Sequence, residues 1–474
     1  MRYIHLWLLP GLFCICGTVY GQQSDAFRVD FHLNGFRSPV ALVGRYSAGN
    51  SYVVDSVAVD TNSGTFYFRK NNLQPGVFFV AANGKRLFDF ILPAASDSFS
   101  ISGTLADLTT INAANSVENE AYFAFERQRQ AVEAKIIARQ SMYDMVSQAT
   151  NNDPKVMAPI EKEIDTYYRS IDSMARAFIV RYPGHLYAKM LQSVRPPSPP
   201  KSITPTLKGK SNPVYPRWMR RHYWDNTDFR DERLLNNQFW PTFFDNYFDR
   251  FVVALPDSIT AAVDQVLEKM PKNGAFYRFA VLRFVQNFEM SDAPGADQIF
   301  VHMVDNYMKP GQTPWQDIAT LSRLEYKSSI LKPVLTGKVA PALELSDEKN
   351  RTIRLDTISA PLTLLVFYSP LCSHCMDVMP GIYQTWLDAR VFGLKAVAVS
   401  TDNQYRNWQQ FIRQQNWEWY DLADPTGNNA FEKQYPTNNL PVLYLLDKNK
   451  RILRKRIKPE ELRDVLKIYL NSKK

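Results

Sequence analysis

Cys372 and Cys375 stand three positions apart in the stretch FYSPLCSHCMDVMP, residues 367–380, with His374 between them. Two thiols at this spacing can form a redox couple, supply half of a tetrahedral metal site, or staple a short loop. The chain has four cysteines, and the other two, Cys14 and Cys16, fall in the opening stretch MRYIHLWLLPGLFCICGTVYGQQ. That stretch carries one Arg and a short apolar run, Leu6 to Tyr20, interrupted by Pro10 and Gly11, with small or aliphatic residues at Val19 and Gly21. It reads as a secretory signal cut near Gly21, being short and broken for a spanning helix. Phe13 and Ile15 stand where a lipid-anchored signal carries a small residue before its cysteine. Cleavage leaves Cys372 and Cys375 as the whole thiol inventory of an exported chain. A structural zinc needs four ligands, whereas no second C-x-x-C exists and His32, His185, His222, His302 and His374 are scattered singly. A bridge over so short a loop removes little entropy from the unfolded chain. Redox use of the pair is the expectation, with no metal and no cofactor.

The remainder of the composition narrows the class of protein without naming a ligand. At 474 residues, 45% hydrophobic and 22% charged, the chain is globular and too long for one ordinary core. Its net charge of +9 becomes +8 once Arg2 is removed, 55 Lys and Arg against 47 Asp and Glu. The densest basic cluster, KNKRILRKRIK from Lys448, alternates with Ile452, Leu453 and Ile457, the pattern of a solvated edge strand rather than of a nucleic-acid or membrane patch. No nucleic-acid partner is expected, and no stable membrane insertion after cleavage. The location is periplasmic or otherwise extracytoplasmic.

Three kinds of pattern follow one another along the mature chain. From Phe27 to about Leu108, short runs rich in Val, Phe and Tyr are separated by Asn34-Gly35, Ser63-Gly64, Pro75-Gly76 and Asn83-Gly84, which predicts an antiparallel β-sandwich. Near Asn115 the period changes to about 3.6, with an N-x-x-E capping signal at Asn115 and Glu118. Helices are predicted over 115–149 and 154–181. An extended connection VRPPSPPKSITPT follows, then aromatic-faced helices from Pro216 to about Lys332 whose stripes read as helix packing. From Gly337 strands and helices alternate. The strand LTLLVFY precedes the cysteines, and a helix begins at Cys375.

Four features of 337–474 resemble the thioredoxin superfamily, specifically its exported bacterial TlpA-like thiol-disulfide oxidoreductases. They are GKVAPALEL from Gly337, C-S-H-C after an apolar strand, Pro380 five residues past the second cysteine, and Leu440-Pro441 just before the strand VLYLLD. The upstream β and helical segments resemble accessory regions of such proteins. The fold class is therefore multidomain: an N-terminal all-β sandwich (22–110), a central all-α region (111–336) and a C-terminal α/β thioredoxin-like fold (337–474), after a signal at 1–21. The resemblance implies protein thiol or disulfide substrates, a separate redox partner, a cis bond before Pro441, and a Leu440 backbone that pairs with an extended substrate segment.

At a helix N-terminus Cys372 would be the attacking sulfur and Cys375, one turn in, the resolving one. Three departures from the family pattern bear on tuning. Thioredoxins carry a buried acid where this chain has Val366, and many exported reductases carry a Glu where it has Val378, so the usual proton relay is missing. Asp377 could substitute or could face solvent. His374 could stabilise the Cys372 thiolate and make the couple more oxidising, or could point to solvent. Two other readings stand beside the oxidoreductase. A peroxiredoxin-like antioxidant would use Ser369, three residues before Cys372, but has Leu365 where its motif has proline. A secreted binding protein would use the first 336 residues.

Overall fold

Alternation of apolar and polar residues sets the front of the molecule. In the computed structural model, which describes residues 27–93, 98–203 and 213–471, Phe27, Val29, Phe31 and Leu33 of β1 (Phe27–Asn34) point into a core while Arg28 and His32 face outward. The proposed signal, with Cys14 and Cys16, lies outside the described residues, as does part of the proline-rich connection. β2 (Val40–Ser47), β3 (Asn50–Ala58), β4 (Thr65–Lys70), β5 (Gly76–Ala82), β6 (Lys85–Leu92), β7 (Phe99–Thr104) and β8 (Asp107–Ala114) follow. They form two four-stranded sheets, β4-β1-β7-β8 and β3-β2-β5-β6. Aromatic contacts join the two inner faces: Phe31 to Phe90 at 5.7 Å, Phe68 to Phe78 at 6.4 Å and Phe90 to Phe99 at 6.4 Å between ring centroids. The β5–β6 hairpin turns on Asn83 and Gly84, both at positive φ (50° and 73°), the conformation that an Asn-Gly pair supplies.

β8 runs through residue 110, so the sheet region extends to Ala114. The helix expected from Asn115 begins at α1 (Val117–Thr150), capped by Ser116, whose Oγ accepts the Asn119 N–H; Asn115 takes φ 66° instead. Glu118 does not close a capping box. Its carboxylate accepts the Tyr187 N–H at 2.8 Å. α2 (Pro154–Arg181), α3 (Leu186–Ser193), α4 (Val214–His222) and α5 (Trp240–Phe251) complete the middle of the chain. The chain divides into two compact units between Asp245 and Asn246, within α5.

The second unit begins with α6 (Pro256–Glu268), α7 (Ala275–Glu289), α8 (Ala296–Tyr307) and α9 (Ile318–Leu331). Then come β9 (Glu344–Ser346), β10 (Thr352–Arg354), β11 (Leu362–Tyr368), α10 (Ser373–Ala389), β12 (Leu394–Ser400), α11 (Tyr405–Gln415), β13 (Tyr420–Leu422), β14 (Val442–Asp447), β15 (Ile452–Lys455) and α12 (Leu462–Asn471). The five-stranded sheet has the order β13-β12-β11-β14-β15, with β11 parallel to β12 and antiparallel to β14. Every residue of β11 is buried because both faces of the sheet are covered. Leu364, Val366 and Tyr368 pack with α10, α11 and α12, whereas Leu365 and Phe367 pack with Phe431, Tyr435 and Val334. This is the thioredoxin arrangement, and it places the end of its central strand beside the start of α10.

The basic cluster from Lys448 differs from a solvated edge. β15 is an edge strand, yet Lys450 is buried and donates to the Ile358 carbonyl (2.6 Å) and Thr363 Oγ1 (2.8 Å). Lys455, with a side chain 8% exposed, pairs with Asp297 of α8 and donates to the Val334 carbonyl at 2.7 Å. Removing one member of a buried pair strands the other charge. Asp297→Asn is expected to cost about 3–5 kcal/mol in denaturant unfolding, and Lys455→Met with Asp297→Leu is expected to recover most of it. Equal losses in the single and double variants would show that the cost is the loss of the pair itself rather than of a stranded charge.

Candidate active site

β11 ends at Tyr368, and a short loop carries the chain into α10. Ser369 O accepts the Cys372 N–H at 3.1 Å, and Ser369 Oγ accepts the Leu371 N–H at 3.1 Å. Cys372 is the N-cap of α10, with extended backbone (φ −87°, ψ 109°), and its Sγ accepts the Cys375 N–H at 3.3 Å. An unpaired helix N–H aimed at sulfur is the interaction that favours a thiolate over a thiol. The helix starts at Ser373, two residues earlier than the sequence pattern indicated.

The two sulfurs occupy different environments. Cys372 is partly exposed, whereas Cys375 has no solvent exposure and sits in the core with Val366, Tyr368 and Met379. Burial, followed by the hydrogen bond with Cys372, pushes the Cys375 thiol up to about 12. His374 is exposed and lines a cavity of about 630 Å³ together with Leu440 and Pro441. Phe288, Met290 and Leu331, from α7, its end and α9, also line it. The Leu440–Pro441 bond is cis. Asp377 is exposed on α10, so of its two sequence readings the solvent-facing one matches its position. Among the described residues no cluster of three or more His, Cys, Asp or Glu is arranged to hold a metal.

Val366 is fully buried and Val378 packs on the same core, so neither family acid position holds a carboxylate. A buried acid nevertheless reaches this core from another strand. Asp421, in β13, accepts hydrogen bonds from Tyr368 Oη (2.8 Å) and Trp408 Nε1 (3.1 Å) at Oδ1, and from Trp419 Nε1 (3.1 Å) at Oδ2. Burial raises its carboxyl to about 7, although the three donors pull the other way. Tyr368 is raised well above the ordinary phenol by burial, then by Asp421, and Cys375 also acts on it electrostatically. Sequence reading missed Asp421 because β13 is three residues long. Its signal was the aromatic-flanked acid in WEWYDL.

With this geometry in view, comparison with known proteins becomes specific. The model of the AhpC/TSA family matches residues 336–455. This region belongs to the AhpC/TSA family. A domain of unknown function (DUF5106) matches 205–330, the helical stretch before it. The thiol-disulfide oxidoreductase ResA of Bacillus thuringiensis is 26% identical over 139 residues, 29% of this chain and 77% of that protein. A domain of a possible thiol-disulfide isomerase from Cytophaga hutchinsonii is 35% identical, covering 30% of this chain and 96% of that one, with a TM-score of 0.28. A thioredoxin-like protein from Bacteroides caccae is 16% identical over 58% of this chain and 98% of its own, with a TM-score of 0.45. The AhpC/TSA domain of this chain is a thioredoxin-fold thiol-disulfide oxidoreductase.

Proposed function

We propose that the protein is an exported oxidoreductase that exchanges disulfides with extracytoplasmic protein substrates through Cys372 and Cys375. The observation that carries the reading is the asymmetry of the pair: Cys372 is reachable and capped by a backbone N–H, while Cys375 is sealed in the core with its thiol raised. In the reductive direction the Cys372 thiolate attacks a substrate disulfide and one substrate sulfur leaves as thiolate. Cys375 then gives up its proton and attacks Cys372, releasing the second substrate sulfur and closing the Cys372–Cys375 disulfide. An oxidising cycle runs the same steps backward. A second redox partner restores the starting state.

Export is inferred from the opening stretch of the sequence and fits chemistry that needs disulfide-bearing clients. No helix among the described residues is long and apolar enough to cross a membrane. The substrate segment lies against the Leu440 backbone, in the cavity that His374, Leu440 and Pro441 line together with Phe288, Met290 and Leu331. Helices α7 and α9 therefore form part of the substrate surface.

Reduction of insulin disulfides by the full chain with a dithiol donor tests the reading, with hydrogen peroxide as the competing substrate. Insulin reduction above the donor's background, without comparable peroxide consumption, is expected. Peroxide consumption without insulin reduction would favour the peroxiredoxin-like alternative that Ser369 leaves open. No reaction with either would point to a binding role for the front of the chain.

A further inference from the structure

The cavity beside the redox pair carries charge as well as apolar surface, and its charges are unequally committed. Its lining includes three carboxylates, Glu289, Asp292 and Asp297, and three cations, Lys327, Arg456 and Lys458. Asp297 is taken by Lys455 of β15. Glu289, with a side chain 12% exposed, is held by Arg323 and by Lys327, whose Nζ also donates to the Glu289 carbonyl at 2.7 Å. These groups are engaged within the fold. Asp292 and Arg456 approach only to 3.6 Å, and both are exposed, a separation too long for a hydrogen bond. The exposed Lys458 ammonium has no partner among the described residues. What the cavity leaves available to a ligand is positive charge.

The backbone at Arg456 is unusual for its side chain. β15 ends at Lys455, and Arg456 then takes φ 50°, after which the Ile457 N–H donates to the Leu443 carbonyl at 3.3 Å. Left-handed φ is unfavourable for a residue with a long side chain and is tolerated best by Gly and Asn. The chain follows this preference elsewhere. Of the twelve non-glycine residues at positive φ among the described residues nine are Asn, and the others are Ala48, Lys450 and Arg456. Lys450 has a structural reason, since its buried ammonium bonds Ile358 and Thr363. The Arg456 guanidinium has only its long contact with Asp292. An arginine kept where Asn would turn the chain with less strain points to a use for its charge in the cavity.

We propose that Arg456 and Lys458 select clients, favouring extended protein segments with Asp or Glu close to the reactive cysteine, and that Asp292 holds the Arg456 guanidinium until such a segment displaces it. This rests on the thiol-exchange reading above and names the class of client that exchange serves. The selecting surface is continuous with the redox site, because His374, Leu440 and Pro441 line the same cavity. A client backbone paired at Leu440 brings its neighbouring side chains to that surface. There a carboxylate meets the guanidinium in a two-point hydrogen-bonded fork, which Asp292 at 3.6 Å does not form. Exposed Met290 and part-buried Phe288 add apolar surface for the rest of the segment. Basic clients are disfavoured by the same two cations. Arg456 and Lys458 thus set which client docks and leave the sulfur chemistry to the cysteines.

Peptide pairs joined by a disulfide, one carrying a fluorophore and the other a quencher, test this when each cysteine is flanked on both sides by Glu, by Gln or by Lys. The full chain is supplied with a dithiol donor, and kcat/KM above the donor's own rate is measured for each pair. Wild type should prefer Glu to Gln by about five- to tenfold at an ionic strength of about 0.01 M and turn over Lys slowest, with the preference shrinking toward equality near about 0.5 M. Arg456→Asn removes the charge and places the residue type best suited to the left-handed backbone, so the turn is retained. Combined with Lys458→Gln, it should bring the Glu-to-Gln ratio within about twofold. Asp292→Asn should raise the ratio by roughly twofold, since Arg456 loses its internal competitor. Should the double variant fail to fold, Lys458→Gln alone, at an exposed side chain, should still lower the ratio. A ratio unchanged in these variants, or equal turnover of the three pairs by wild type, would overturn the proposal while leaving exchange intact. A wild type that cleaves no pair would overturn the exchange reading and this proposal with it.

Discussion

Cys372→Ser reduces insulin-disulfide turnover to background, a loss of roughly two orders of magnitude or more, whereas Cys375→Ser stops turnover but accumulates a covalent adduct with the substrate. The asymmetry follows from where each sulfur sits. Cys372 caps α10 and is partly exposed, so its replacement removes the sulfur that can meet a substrate. Cys375 is buried beneath it, so its replacement leaves the attack intact and removes the intramolecular displacement. Non-reducing electrophoresis of the two variants with insulin reads both outcomes. An adduct on the Cys372→Ser variant would reverse the assignment.

Asp421 should make stability depend on pH in a direction opposite to that of an ion-paired carboxylate. Its folded value of about 7 lies above the ordinary 3.8, a rise of about three units worth on the order of 4 kcal/mol. Below the unfolded value both states carry the proton and nothing is lost. As pH rises from about 4 to about 7 the unfolded chain has released a proton that the folded chain retains, so the unfolded state binds fewer protons and stability falls. Above about 7 the full cost is present. Relative to Asp421→Asn, wild type is therefore expected to lose several kcal/mol across this window and then run parallel to it, in denaturant titrations at a series of pH values. Because Asn alters the hydrogen bonds to Trp408 and Trp419, the slope of the difference is the diagnostic rather than its absolute size. Parallel curves from pH 4 to 8 would mean that the carboxylate is ionised at little cost.

The pair that carries the chemistry was legible because its signal is compact: a fully apolar strand, C-S-H-C, then helical periodicity. The placement of Leu440-Pro441 before β14 was legible for the same reason, as was the sandwich with its Asn-Gly turns and alternating Phe residues, but not its one departure from antiparallel pairing: β1 and β7, far apart in sequence, pair in parallel. Asp421 was not, since what makes it unusual is supplied by Tyr368, Trp408 and Trp419, residues distant in sequence that converge only when β13 adds to the sheet edge. Lys455 misled in the opposite sense. Alternation along its strand indicated an exposed edge, but Asp297 of α8 covers that position. At the start of α1, Asn115 and Ser116 are both competent caps, and the positive φ of Asn115 leaves Ser116 to serve. Local pattern predicted elements well. It could not foresee which polar residue a distant element would enclose.

The central claim is that Cys372 attacks and Cys375 resolves, and the order in which the two thiols react tests it most directly. Reduced protein is exposed to limiting iodoacetamide near neutral pH, quenched at intervals and digested, and modification at each cysteine is followed by mass spectrometry. Cys372 should be alkylated first and nearly to completion while Cys375 remains protected, because one sulfur is exposed at a helix N-terminus and the other is buried and raised to about 12. Equal rates at the two sites, or faster modification of Cys375, would contradict the account.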